Sequence, residues 1–156
     1  MFFTLETWEL LSYVVTVVGL PFAIGIFLYE QRKERENEEE ATWQQLSDAY
    51  IDFLEVVLTN PDLKLRSRRA VELSEEQRER QLVIFDMLIA LFERGFLLAW
   101  EPQMSEKQAR RWHSWEDYMR EWCWREDFRA CLPELLRGED PDLAAYIRRL
   151  ADESAD

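Results

Sequence analysis

The side chains able to do chemistry are few, and their spacing matches no common reaction centre. His113 is the sole histidine, and Cys123 and Cys131 are the two cysteines. An ordinary zinc site takes several His or Cys ligands at short spacings, which these three do not supply. Carboxylates abound, but none stands three residues before His113 to make the Glu-x-x-His pair of a di-iron bundle. No glycine-rich phosphate loop and no nucleophile elbow occurs. His113, next to Trp112 and near Trp115, reads as a packed or surface imidazole. The expectation is therefore no catalytic residue, no metal and no cofactor. One enzymatic alternative remains, a cryptic nuclease or other hydrolase working through Lys107, His113 and nearby carboxylates.

What the residues offer instead is contact chemistry, in three places. Trp112, Trp115, Met119 and Trp122 fall at helical spacing on one side of a segment that also holds Arg111. Such a stripe packs a core or, with Trp and Arg as anchors, meets a protein partner. On the second reading Trp112, Trp115, Trp122 and Arg111 form the candidate interface. Ser12, Thr16, Gly19 and Ala23 recur at spacings of four, three and four, a stripe of small residues along which a second helix in lipid approaches closely. Glu34, Glu36, Glu38, Glu39 and Glu40 form the third group. Drawn around the axis of an oligomer, they make a candidate acidic ring that attracts cations and supports ion flow.

Those groups need elements to hold them, and the composition says which. The 156 residues carry 4 Gly and 5 Pro, so helices are favoured and a sheet has little turn chemistry. From Leu10 to Tyr29 there is no charge. A helix of about 20 residues rises roughly 30 Å, the depth of a bilayer's hydrocarbon core. Glu6 and Glu9 precede this run, while Arg32, Lys33 and Arg35 follow it. Positive-inside logic therefore puts the N-terminus outside and the C-terminal domain in the cytoplasm, with the chain in the cell inner membrane. Trp8, Tyr13 and Tyr29 lie at interfacial positions, and Gly19 and Pro21 are candidate kink sites. The run lacks the basic start and small-residue cleavage site of a signal peptide.

The expected organisation is a short extracytoplasmic N-terminus (1–9), a transmembrane helix (10–29), a charged juxtamembrane helix (30–45), a helical bundle (46–151) and a frayed tail (152–156). The span continues as one long helix to Leu58, with an apolar face of Leu46, Tyr50, Phe53, Leu54, Val57 and Leu58. Thr59-Asn60-Pro61 ends it. Ser74 and Ser105, each with a glutamine three residues on, read as capping boxes opening helices to about Trp100 and Trp124. The first of these is apolar on most faces and reads as the bundle's central helix. A helix over 127–137 is expected to break near Pro133. Asp140 and Pro141 start the last one. The fold class is all-α: one N-terminal transmembrane helix continuing into a small cytoplasmic bundle.

The net charge of −13 repels a polyanion, so no nucleic-acid partner is expected. The two cysteines read as reduced, packed residues of a cytosolic domain. The long charged segment Tyr29-Glu30-Gln31-Arg32-Lys33-Glu34-Arg35 after a single span resembles uncharacterised bacterial single-pass membrane proteins with a cytoplasmic helical domain. A small anchored bundle also resembles the accessory membrane proteins of RNA-targeting CRISPR systems, which carry a nucleotide-binding-type helical domain. Members that cut RNA have Arg, four to six residues, then His. Here Arg110 and Arg111 stand too close to His113, and Lys107 has the spacing without the residue, so the catalytic motif is absent. The function expected is a non-enzymatic, inner-membrane-anchored helical module that self-associates or docks a protein partner. The alternative is an oligomeric pore or membrane-perturbing effector of stress or phage defence.

Overall fold

The computed structural model describes Trp8, Glu9, Ser12, Tyr13, residues 15–67 and residues 69–155. Among them there are helices and turns and no strand, so the all-α class holds. A widened π-helical turn, Val15–Gly19, leads into α1, Leu20–Thr59; a 3-10 turn, Pro61–Leu63, follows. The remaining helices are α2, Glu75–Ala99; α3, Glu106–Cys123; α4, Glu126–Leu135; and α5, Pro141–Glu153. The chain divides inside α1 into two units, Met1–Thr42 and Trp43–Asp156.

In the first unit the described side chains from Val15 to Glu38 are all exposed. No helix among the described residues is long and apolar enough to cross a membrane. The reason is geometric: α1 is uncharged only from Leu20 to Tyr29 before it meets Glu30, about 15 Å of rise. Leu10, Leu11 and Val14, from the predicted span Leu10–Tyr29, lie outside the described residues.

The second unit is a bundle with one core. The helix starts are where local chemistry puts them. Ser74 accepts from the Gln77 backbone N–H while the Gln77 side chain accepts from the Ser74 N–H, and Ser105 and Gln108 repeat the arrangement. Asp140 caps α5 by accepting from the N–H groups of Asp142 and Leu143, with Pro141 at the first helical position. Each such cap is worth about 1 kcal/mol. Asn60 and Pro61 end α1 as expected. α4, by contrast, runs through Pro133 to Leu135. The ring removes one donor near the end of the helix, and buried Leu132, Leu135 and Leu136 hold that end against the core.

α3 packs on α5, on α4 and on α2, and α2 packs on α4. The C-terminal part of α1 enters the same core through Leu46, Tyr50, Phe53 and Val57. Leu58, expected on that apolar face, is exposed, and Leu54 is half-buried. α2 is not the fully enclosed central helix its composition suggests. Phe85, Leu88 and Phe92 are buried without remainder, but Val83, Met87, Leu97 and Leu98 face outward. Its neighbours cover one side of it, and a helix needs cover all round to bury every face.

Candidate interaction surface

The tryptophans of α3 are core. Trp112, Trp115 and Trp122 are 3%, 2% and 1% exposed. An indole that closed has no surface to give a partner, so the candidate interface of Trp112, Trp115 and Trp122 is corrected to a packing stripe. Each meets aromatic groups from distant parts of the chain. Trp122 stands edge-on to Phe53 and to Phe85, and its Nε1–H donates to the Tyr50 hydroxyl at 3.2 Å. Trp115 stands edge-on to Tyr50 and Phe92. Its Nε1 lies against Gly95 and is buried without an acceptor. Trp112 donates to the Tyr146 hydroxyl at 2.9 Å. Arg111 is half-buried.

Glu116 and Arg120 of α3 form a latch with Tyr146 and Glu153 of α5. Tyr146 on α5 accepts from Trp112 and donates to Glu116 on α3. Arg120 bonds Glu116 at 2.6 Å and Glu153 of α5 at 2.6 Å. Burial pushes the Tyr146 hydroxyl up to about 12, and its carboxylate neighbour adds to the rise. Burial also works against the charged Glu116, but hydrogen bonds from Tyr146 and Arg120 outweigh it and hold the carboxyl below its ordinary value. Every polar side-chain atom that joins this cluster has a partner within it. His113 and Lys107 are exposed on α3. Six residues apart, they point about 120° away from each other around the helix, so they do not converge on one substrate. Among the described residues no group of His, Cys, Asp and Glu is placed to hold a metal.

Arg125 is the functional-looking residue that the sequence concealed. It is 3% exposed. One of its terminal nitrogens donates to the carbonyls of Lys64 (2.9 Å), Leu65 (3.0 Å) and Ser67. Its other nitrogens donate to Asp127 at 3.0 and 2.6 Å, and Gln81 of α2 donates to the same carboxylate at 2.9 Å. Burial of a guanidinium is tolerable only with this degree of pairing. Lys64 takes a left-handed backbone, φ 49°, which turns its carbonyl and those after it toward Arg125. The role is to pin the 64–67 turn to the bundle. A cleft of about 220 Å³ beside it is lined by Arg66, Glu121, Trp122 and Trp124, which is small for a ligand site. An arginine two residues before an aspartate was the only sequence signal, and it reads equally as a surface ion pair.

In the first unit Ser12, Thr16, Gly19, Ala23 and four of the five glutamates are exposed, and neither group is a straight stripe. Thr16 donates its hydroxyl to the Ser12 carbonyl at 2.8 Å. The wide turn Val15–Gly19 breaks the regular 3.6-residue register on which the alignment of Ser12, Thr16, Gly19 and Ala23 depends. A Cβ on Gly19 would meet only Val15, at 3.8 Å. In α1 the five glutamates go round the helix. Glu34 and Glu38 share one face, Glu36 and Glu40 share another, and half-buried Glu39 lies between. A ring about an oligomer axis draws on one of these pairs rather than on all five. No family model, no curated protein and no solved structure matches the chain.

Proposed function

We propose that the chain is a membrane-anchored helical module that works through protein contact, by self-association or by docking a partner, rather than by catalysis. The observation that carries the reading is the run of outward apolar side chains in the first unit. Val15, Val17, Val18, Leu20, Phe22, Phe27 and Leu28 are each more than half exposed or close to it. Water penalises such a surface by roughly 25 cal/mol per Å², whereas lipid does not. With Leu10, Leu11 and Val14 the uncharged run is long enough for the hydrocarbon core, and the basic flank Arg32, Lys33 and Arg35 favours its C-terminal end on the cytoplasmic side. A second support is that Trp112, Trp115 and Trp122 of α3 are spent on packing and that Glu116 and Arg120 are spent on latching α5.

The experiment is the mass of the intact protein in mild detergent or in nanodiscs, with alkaline extraction of membranes alongside. A protein that stays in the membrane pellet and has a mass above that of one chain agrees with self-association. A membrane-bound monomer narrows the reading to docking. Release into the alkaline supernatant sinks the anchor.

A further inference from the structure

α2 presents one uncovered side. Val83, Met87, Ala90, Leu97 and Leu98 are all exposed in a helix whose opposite side forms the core. At about 100° per residue these five lie within roughly 80° of the direction of Ala90, so they share one face. Asp86 and Arg94 share it too, four residues before Ala90 and four after. Among the described residues neither has an ion-pair partner.

The pattern is symmetric about Ala90 at two pairs, Val83 with Leu97 and Asp86 with Arg94, while Met87 mirrors onto half-buried Glu93 and Leu98 onto half-buried Leu82. Reversing the helix end for end brings Val83 to the level of Leu97 and Asp86 to the level of Arg94. We propose that this face of α2 binds the same face of a second copy of the chain, antiparallel, about a two-fold axis beside Ala90. The inference deepens the self-association reading above and rests on it. In an isologous pair each contact is made twice. Val83 meets the partner's Leu97 in both halves, and Asp86 meets the partner's Arg94 in both halves. Ala90, small and central, sets a close crossing. A lone cation on an acidic protein is otherwise placed to no purpose in an apolar stripe; opposite Asp86 of another copy it is matched.

The area sets the strength. The exposed apolar surface of the face is on the order of 400 Å² per copy, which puts the pair at the small, reversible end of protein interfaces. Two copies held in one bilayer gain the effective concentration that so small a contact needs.

The test uses the full-length chain in mild detergent, with Cys131→Ser so that buried Cys123 is the only native thiol. Ala90→Cys, at the axis, is expected to give a disulfide-linked dimer under gentle oxidation. Val83→Cys alone is expected not to link, because two copies of that position lie about 20 Å apart along the antiparallel pair. Val83→Cys mixed with Leu97→Cys is expected to link. Arg94→Asp should weaken dimerisation by at least about ten-fold, and Asp86→Arg added to it should restore most of the loss. Equal linking at positions 83 and 90, or a charge reversal with no rescue in a chain that still oligomerises, overturns the antiparallel pairing and leaves self-association standing elsewhere. A chain monomeric at every concentration overturns both. An environment-sensitive dye at position 83 that reports lipid in discs holding one copy assigns the face to the bilayer and also overturns the pairing.

Discussion

Gly95→Ala separates packing from propensity, because the two predict opposite signs. Gly95 lies inside α2, where replacing glycine by alanine adds about 1 kcal/mol of helix stability on propensity alone. A Cβ built there falls 2.4, 2.6 and 2.8 Å from Nε1, Cε2 and Cζ2 of Trp115. The indole therefore has to withdraw by roughly 1 Å to regain van der Waals distance. Behind it stand Phe92, Tyr50 and Tyr118, with ring centroids 6.3, 6.1 and 5.9 Å away, all edge-on. A rigid ring that is 2% exposed has little room to withdraw. Overpacking of this kind costs about 1–3 kcal/mol, and three contacts under 3 Å put the case at the upper end. Net of propensity, the loss is about 2 kcal/mol, or on the order of 10 °C in Tm for a unit of this size. The assay is thermal unfolding followed by near-ultraviolet circular dichroism of the tryptophans, in mild detergent. In a Trp115→Leu background the clash is gone, so the same Gly95→Ala change should turn stabilising by up to about 1 kcal/mol. A higher Tm for Gly95→Ala in the native background would refute the packing argument.

Other outcomes follow from the buried polar groups. Arg125→Met leaves the carbonyls of Lys64, Leu65 and Ser67 without its guanidinium donor and the Asp127 carboxylate without its cation; a loss of about 3–5 kcal/mol is expected, with faster hydrogen exchange and proteolysis at the 64–67 turn. Alkali should unfold the bundle through groups whose protonated form is favoured by burial. Cys123, ordinarily near 9, and Tyr146, ordinarily near 10, are each pushed up to about 12. A raised folded-state value means that their contribution is complete below pH 9 and is lost as the pH climbs toward 12. Tyr146→Phe should remove its share of that alkaline loss, and should cost about 1–3 kcal/mol at neutral pH by stranding the Trp112 Nε1–H. Glu116 has the opposite sense: held below its ordinary 4.5, its contribution is present above that value and disappears as the pH falls through the folded-state value. A thiol reagent should reach half-buried Cys131 first and Cys123 only on unfolding, which mass spectrometry of the labelled chain reads directly.

The signals legible in the sequence were those complete within a few residues. A capping box needs a serine and a glutamine three positions apart, and both sites in this chain close as their letters indicate. The end of α1 at Asn60-Pro61 and the start of α5 at Asp140-Pro141 are equally local. Signals that depend on a distant partner were ambiguous or unreadable. Periodicity puts Trp112, Trp115 and Trp122 on one side of a helix, but it does not say that Tyr50 and Phe53, some seventy residues upstream, stand opposite them. Arg125 carries a charge and so reads as surface, until the turn at residues 64–67 is seen to aim three carbonyls at it. Gly95 in an apolar helix reads as a tolerated defect, whereas it is the space into which Trp115 fits. The same logic bears on where activity can reside. Trp112, Trp115 and Trp122, the Tyr146–Glu116 latch and Arg125 are all taken up in holding the bundle together. Among the apolar surfaces left outside are the run before Glu30 and the uncovered face of α2, and both are surfaces whose natural complement is another nonpolar surface.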